Sequence, residues 1–140
     1  MAILTVPTSA IHTDFICKLV DVSPDGTILP ICEGTLRLRY RNGFDREFPA
    51  EPGVPMSIRI PMGHTAWRVL PGHRIGIQIQ SANYPHLDPN MNEMSRPGEG
   101  SGGTIARNGI SDNPGASTIR VTLAGPGRPP IVLRPGGTPS

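Results

Sequence analysis

A strict alternation of apolar and polar residues is the clearest pattern in the chain. Ile75, Ile77 and Ile79 occupy every second position, and a glycine or a glutamine follows each of them. This period of two is typical of a β-strand that buries one face and exposes the other. Turn sequences at 71–72 and 83–85 bound the strand. Because such a strand needs a second apolar layer against its inner face, the pattern predicts a layered β-structure.

Other apolar or alternating runs predict further short strands, and the run at 14–22, which is apolar on nearly both faces, is expected to be a central strand. They fall at residues 2–6, 14–22, 27–33, 35–41, 56–60, 65–70 and 117–123, with a weaker one at 104–110. No segment of convincing length carries the 3.6-residue period of a helix. A series of short strands separated by turn residues predicts an all-β protein, either a β-sandwich or a jelly roll.

The composition favours the same fold and suggests the domain limits. The 140 residues include 17 glycines and 17 prolines, with 36% hydrophobic and 4% aromatic residues. This content favours turns and short strands over helices. One domain is expected at residues 1–124, and residues 125–140, dominated by glycine and proline, are expected to form a flexible tail.

The charge pattern does not favour binding to nucleic acid or to an acidic membrane. The formal net charge is +2, and the arginines are scattered along the chain. No apolar run approaches the roughly 20 residues of a membrane-spanning helix. The first residues lack the features of a signal peptide. A soluble cytoplasmic protein with no nucleic-acid or membrane partner is therefore expected.

Whether the two cysteines can face each other depends on the register of the first predicted hairpin. If Val22 pairs with Thr27, Cys17 stands opposite Cys32. The intervening Ser-Pro-Asp-Gly instead favours a type I turn followed by a left-handed glycine, which pairs Ser23 with Thr27. That shift of one residue sends the two cysteines to opposite faces of the hairpin. We favour this second register and expect two free thiols.

No catalytic or metal-binding constellation is complete in the sequence. Residues 98–103 satisfy G-x-G-x-x-G, but no strand precedes them and no helix follows, so a loop is the better interpretation. Residues 88–99 begin like a calcium loop, but Glu93 stands where the sharp turn needs glycine. No serine lies in G-x-S-x-G, and the four histidines form no spaced metal or triad pattern. We therefore predict no catalytic residue, no cofactor and no metal ligand in this chain.

Three arginines and two aromatic residues remain as candidate surface features. Arg37, Arg39 and Arg41 alternate with apolar residues and are expected to form a basic stripe that is solvated or salt-bridged to another domain. Trp67 is predicted to be a core residue rather than an exposed platform for a sugar or a partner. For Tyr84, which lies in a predicted loop, both interpretations stay open.

Several collinear segments resemble one known family. Residues 13–26, TDFICKLVDVSPDG, are similar to a D-F-x-x-K-L-x-D-V-x-P-D-G segment. That segment belongs to the C-terminal domain shared by the family of cocaine esterase, α-amino acid ester hydrolases and Xaa-Pro dipeptidyl-peptidases. Further matches follow in the family's order at residues 33–41, 65–67, 71–75, 81–85, 88 with 90, 106–107 and 117–123.

The resemblance implies a jelly-roll β-sandwich of the galactose-binding-like type. It also implies that a Ser-His-Asp triad lies in an upstream α/β-hydrolase catalytic domain, and that the domain resembled here is non-catalytic, packs on that domain and helps to close its acyl pocket. No catalytic residue of the family can be carried over to this chain. The candidates for facing the domain interface or the pocket are Trp67, Asn83, Tyr84, Pro85, Asp88 and Asn90.

Two departures from the family's pattern and one alternative function accompany this resemblance. Pro89 stands where the family usually has arginine, and a longer glycine-rich insertion follows. The family's domain begins with one or two strands before the segment that corresponds to residues 2–6, so the sandwich is expected to lack its first strands. The predicted function is that of the accessory domain of a serine hydrolase cleaving an ester, an amide or an Xaa-Pro peptide bond. The alternative is an independent jelly-roll module that binds carbohydrate or peptide, and self-association into a homo-oligomer is left open.

Overall fold

Most of the regular structure in the described residues consists of β-strands. The computed structural model describes residues 1–96, 99–100, 102–113, 115–122 and 129–134. The strands are β1 (Ala2–Val6), β2 (Asp14–Val22), β3 (Ile28–Arg37), β4 (Met56–Ile60), β5 (Arg74–Gln80), β6 (Thr118–Val121) and β7 (Ile131–Leu133), with a 3₁₀ turn at Leu38–Tyr40. The described part of the chain contains no α-helix and no helix long and apolar enough to cross a membrane.

The strands form two antiparallel sheets. One sheet has the order β4-β1-β6-β7 and the other the order β3-β2-β5. Inner faces of both sheets contribute to one apolar core, which confirms the predicted all-β sandwich. The buried core residues are Ala2, Leu4, Val6, Phe15, Cys17, Leu19, Leu38, Ala50, Ile58, Ile60, Met62, Ile119 and Leu133.

Strand β5 has the buried face that its alternation predicts. Ile75, Ile77 and Ile79 are half-buried and pack against the core. The neighbouring strand β2 is buried on nearly both faces, as its sequence predicts, because it lies in the centre of its sheet. The outer face of β2 therefore holds buried side chains beneath the loops.

Strand β3 passes close to the chain that follows β4 in the opposite sheet. A Cβ atom added at Gly34 would overlap the carbonyl oxygen of Pro61 and would lie 2.9 Å from Cγ2 of Ile60. A backbone oxygen cannot move away without displacing its strand, so this contact requires glycine. Gly34 therefore lets the two sheets meet along this side.

The strand predicted at 35–41 is wrong in its extent. Strand β3 runs without interruption through Gly34 to Arg37, and the chain then turns at Leu38–Tyr40. The amide of Leu38 donates to the carbonyl of Thr13 (3.0 Å), so this turn is held against the start of β2. The alternation of inward and outward residues therefore stops at Arg37.

Two further predicted strands are not formed. Residues 65–70 contain no strand, and residues 104–110 contribute only an isolated bridge between Thr8 and Asn108. Side-chain contacts and single hydrogen bonds hold these segments, such as the bond from the amide of Ser9 to the carbonyl of Arg107 (3.0 Å). Both segments carry apolar alternation, but among the described residues neither has a neighbouring strand with which to form a ladder of hydrogen bonds.

Strand β7 lies within the region for which the sequence predicts a flexible tail. Its residues Ile131–Leu133 pair with β6, with Ile119 opposite Leu133, and Leu133 enters the core. The prediction is therefore wrong for 131–133, because three consecutive β-branched or apolar residues suffice to pair with a neighbour. Residues 125–128 and 135–140 of the predicted tail lie outside the described residues.

The turn between β2 and β3 has the predicted register. The amide of Ser23 donates to the carbonyl of Thr27 (2.9 Å), and Gly26 has φ +88°. The side chain of Asp25 accepts a hydrogen bond from the amide of Thr27 (2.9 Å). These contacts match the type I turn with a left-handed glycine that Ser-Pro-Asp-Gly favours.

A β-bulge then changes the position of the second cysteine. Val20 pairs with Pro30, but the preceding residue of β2, Leu19, pairs with Cys32. Ile31 is therefore the extra residue that β3 accommodates. This returns Cys32 to the core-facing side that Cys17 occupies, and the predicted opposite faces are wrong. Both cysteines are free, as predicted.

Candidate functional site

Buried carboxylates at the two ends of β2 organise two separate polar clusters. Asp14 is 2% exposed and Asp21 is 3% exposed. The seven residue steps from Asp14 to Asp21 span roughly 24 Å of extended strand. Of the sequence-predicted site residues, Asn90 contacts Asp14 and Trp67 contacts Asp21, so these residues do not form a single site.

Asp14 ties the loop that contains Asn90 to the sheet. Its carboxylate accepts hydrogen bonds from Nη2 of Arg37 (3.3 Å) and from Nδ2 of Asn90 (2.5 Å), and it lies 3.3 Å from Nε of Arg37. A carboxylate removed from water needs such partners to compensate for its lost hydration. Asn90, a predicted site residue, is half-buried and acts here as a support for its loop.

His12 is fully buried beside this carboxylate. Nε of Arg39 donates to Nε2 of His12 (2.9 Å), the amide of Arg39 faces Nδ1 (3.2 Å), and Nδ2 of Asn90 lies 3.0 Å from Nε2. A neutral imidazole accepts at one nitrogen, and a protonated ring accepts at neither. Burial, followed by the charges of Arg39 and Arg37, lowers the pKa of His12 from 6.5 to about 4. The ring is therefore neutral at pH 7.

The predicted basic stripe is wrong at its centre. Arg39 is 5% exposed, and Arg37 and Arg41 are half-buried. The 3₁₀ turn at Leu38–Tyr40 is the reason, because it ends the strand alternation and directs Arg39 into the protein. The arginine predicted to face solvent is thus a buried structural residue.

Arg39 binds the backbone of residues 83–96, which we call the second groove loop. Its Nη2 donates to the carbonyls of Glu93 (2.8 Å) and Ser95 (2.9 Å). Its Nη1 pairs with Oε1 of Glu47 (3.1 Å) and lies 3.4 Å from the carbonyl of Met94. One guanidinium therefore holds three consecutive carbonyls of this loop.

Arg41 holds residues 41–50, which we call the first groove loop, in a similar way. Its guanidinium donates to the carbonyls of Leu38 (3.2 Å), Phe48 and Pro49 (3.0 Å). Phe44 lies in this loop with 88% of its surface exposed, and its ring centre is 5.5 Å from that of Tyr40. The loop is thus fixed from below while it exposes an aromatic side chain.

Asn83 anchors the start of the second groove loop to the outer face of the β3-β2-β5 sheet. Its Oδ1 accepts from Nζ of Lys18 (2.8 Å) and from Nε2 of Gln80 (3.2 Å), and its Nδ2 donates to Oε1 of Glu33 (3.1 Å). Asn83 is 9% exposed, whereas the next residue, Tyr84, is 78% exposed. The peptide bond from Tyr84 to Pro85 is cis.

A groove of about 400 Å³ separates the two loops. We call it the aromatic groove; it is lined by Thr35, Leu36, Arg37, Tyr40, Phe44, Pro85, His86, Leu87 and Asp88. Pro85 and Asp88, both predicted site residues, therefore share a surface with Phe44, which the sequence reasoning missed. The lining combines the apolar side chains of Leu36, Phe44, Pro85 and Leu87 with the charged side chains of Arg37 and Asp88.

Asp21 forms the second cluster, at the other end of β2. Nε1 of Trp67 donates to Oδ2 of Asp21 (2.9 Å), and Nδ1 of His73 lies 2.9 Å from Oδ1. The hydrogen bond from Trp67, followed by that from His73, lowers the pKa of Asp21 below its ordinary value. Trp67 is 44% exposed, so the prediction of a core residue is wrong. Its indole is bound through the one polar atom that would otherwise need water.

The described residues do not assemble hydrolytic or metal chemistry. Among them, no serine, threonine or cysteine side chain is hydrogen-bonded to a histidine ring, whose side-chain partners there are Arg39, Asn90 and Asp21. The same part of the chain contains no group of three or more histidine, cysteine or acidic side chains placed to hold a metal ion. What the arrangement offers is a rigid surface.

The sequence did not identify His12, Phe44 or the buried role of Arg39. For His12 the sequence did contain a signal. This residue stands just before a strand that is apolar on nearly both faces, where polar side chains are buried and need hydrogen-bond partners. No comparable signal existed for Arg39, because its inward direction depends on a turn that the alternation does not reveal. Phe44 resembles any isolated surface aromatic until the groove is seen.

Residues 1–128 match the family model described as the X-Pro dipeptidyl-peptidase C-terminal non-catalytic domain. The chain belongs to this family, which confirms the resemblance carried by the D-F-x-x-K-L-x-D-V-x-P-D-G segment.

Known relatives are much longer hydrolases. The chain is 37% identical over 132 residues to cocaine esterase from Rhodococcus sp. (strain MB1 Bresler), which covers 94% of this chain and 21% of that protein. It is also similar to a solved α-amino acid ester hydrolase labelled with selenomethionine, with a TM-score of 0.63 and 26% identity. This match covers 83% of the present chain and 21% of the hydrolase. An aminopeptidase from the marine sediment archaeon Thaumarchaeota archaeon gives a TM-score of 0.60 and 30% identity over 65% of this chain and 17% of its own. The chain thus spans about a fifth of the length of its curated relative.

Proposed function

We propose that this domain is the accessory part of a serine hydrolase that cleaves ester, amide or Xaa-Pro peptide bonds. The chemistry belongs to an upstream α/β-hydrolase catalytic domain, and this domain shapes access to the substrate pocket and stabilises the assembly. The match of residues 1–128 to a domain described as non-catalytic carries the proposal. The three relatives support it, because each is named for hydrolysis of an acyl bond.

Two assays test this function. The isolated chain is assayed with a p-nitrophenyl ester, and no turnover sensitive to a serine-directed inhibitor is expected. The 132-residue segment of Rhodococcus cocaine esterase that matches this chain is then replaced by it, giving a chimera. The chimera is expected to hydrolyse ester, and a version with the segment deleted is the control. Inhibitor-sensitive turnover by the isolated chain, or a chimera no more active than the deletion, would contradict the proposal.

An independent sugar- or peptide-binding module is less well supported. Such a module needs exposed aromatic side chains gathered on one face. Trp67 is bound to Asp21 at one end of β2, whereas Phe44 and Tyr84 lie near the other end. Saturable quenching of Trp67 fluorescence by an oligosaccharide would favour this alternative.

The compartment and the oligomeric state remain predictions from the sequence. A cytoplasmic location is compatible with the two free thiols, which a reducing compartment maintains. Cell fractionation would test the location, and light scattering on the purified chain would measure self-association.

A further inference from the structure

The two groove loops present apolar surface on an unusually well-fixed backbone. Arg39 holds carbonyls of the second groove loop, and Arg41 holds carbonyls of the first. Asn83 ties the second loop to Lys18 and Glu33 of the sheet, and Asn90 ties it to the buried Asp14. Surface loops are normally the mobile parts of a domain, so this much support is unusual.

The side chains exposed by this support are suited to a protein interface. Phe44 lines the aromatic groove from the first loop with 88% of its surface exposed. Tyr84 directly precedes Pro85, which lines the groove from the second loop, and is 78% exposed. Aromatic anchors at the centre of a patch with a polar margin are typical of binding hot spots. A fixed backbone lowers the entropy lost when such a patch binds.

We infer that the aromatic groove, with Phe44 and Tyr84, is the surface that docks on the α/β-hydrolase catalytic domain. This inference rests on the proposed function. The occupant follows from length, because the matched segment covers only 21% of the curated relative and about four-fifths of such an enzyme lies outside it. Asn83 and Asn90 then act as positioning residues beneath the interface, and Tyr84, Pro85 and Phe44 make the contacts.

Trp67 is assigned to the structure of the domain instead of to this interface. Its indole nitrogen donates to Asp21, and roughly 24 Å of β2 separates Asp21 from Asp14, which pairs with Arg37 of the groove lining. The sequence-predicted site is therefore divided, and only its part in residues 83–90 contributes to docking.

The test uses the chimera with three single substitutions. Phe44→Ser and Tyr84→Ser remove the proposed anchors, and Ile105→Ser is the matched control because Ile105 is also 88% exposed but lies outside the groove. All three are expected to leave the unfolding of the isolated chain unchanged, since each side chain is solvated there. In the chimera, Phe44→Ser and Tyr84→Ser are expected to shorten the half-life of heat inactivation roughly tenfold, and Ile105→Ser is expected to have no such effect.

The outcomes separate this inference from the proposed function. An active chimera in which all three substitutions behave alike would overturn the docking surface and leave the proposed function standing. A chimera without activity would count against the proposed function and the surface together. If the isolated chain forms a dimer that Phe44→Ser abolishes, the occupant is a second copy and the inference is wrong.

Discussion

His12 is a single residue through which pH acts on the stability of this domain. Its pKa is about 4 in the folded chain and 6.5 when the chain is unfolded, so the unfolded chain binds more protons between these values. The free energy of unfolding therefore decreases as pH falls through this window. The contribution of His12 between pH 7 and pH 5 is about 2 kcal/mol.

Urea unfolding at several pH values checks this prediction. The substitution His12→Gln keeps an acceptor but cannot be protonated, so it is expected to remove most of the slope between pH 7 and pH 5. The matched control is His64→Gln, because His64 is exposed. Persistence of the full slope in His12→Gln would show that other groups carry it. The lowered pKa values of Asp21 and Glu47 act in more acidic solution, where their stabilisation is lost as pH falls.

The two thiols are expected to differ in reactivity. Cys17 is completely buried and burial raises its pKa to about 11, whereas Cys32 is half-buried. Because the thiolate is the reactive form, a disulfide reagent should modify Cys32 in the folded chain and Cys17 only when the chain unfolds. Ellman titration with and without urea measures this, and Cys32→Ser should remove the fast phase. Two equally fast thiols would be incompatible with the packing of β2.

At the scale of elements, the contact between β3 and the chain after β4 limits which residue can stand at position 34. Gly34→Ala would place a Cβ against the carbonyl oxygen of Pro61, and we expect a loss of about 2–4 kcal/mol of stability. The matched control is Gly76→Ala in β5, where the Cβ would meet a methyl group of Val20 at 3.0 Å. A side chain can give way, so this loss should be within about 1 kcal/mol. Equal losses in chemical denaturation would contradict this account.

Strands with strong alternation were predictable because each one also found a neighbour. Apolar and polar side chains alternate in residues 75–80, and these residues form β5 at the edge of its sheet, with Ile77 opposite Leu19 of β2. Residues 65–70 lacked such a neighbour, and the bond from Trp67 to Asp21 fixes them instead. The pairing partner is a property of the whole fold, so local pattern cannot supply it.

The candidate site was predictable only as a list of loop residues. Asn83 and Tyr84 are neighbours in the same loop. Asn83 is nonetheless buried in a polar network, whereas Tyr84 is exposed. Which of the two faces inward depends on Lys18 and Glu33, which are distant in sequence. Arg39 and Arg41 show the same limit, because their roles depend on carbonyls of loops that the pattern does not place.

At the scale of the whole molecule, Arg39 joins the sandwich to the second groove loop. Arg39→Lys keeps the charge but cannot reach the same carbonyls and Glu47 together, so we expect a loss of about 2–4 kcal/mol. Hydrogen exchange in residues 90–96 should also become faster than in the unsubstituted chain, whereas exchange in β2 should change less. Arg59→Lys is the matched control, because Arg59 is exposed on β4. Unchanged exchange in this loop would show that Asn90 alone is sufficient to hold it.

The proline at the bulge of β3 affects how copies of this domain can meet. Strand β3 is the outermost strand of its sheet, and Pro30 has no amide proton to donate. An outermost strand that is both kinked and short of a donor is a poor template for the backbone of another chain. We therefore expect this side of the domain to resist fibril-like stacking, even when the domain is separated from a larger protein.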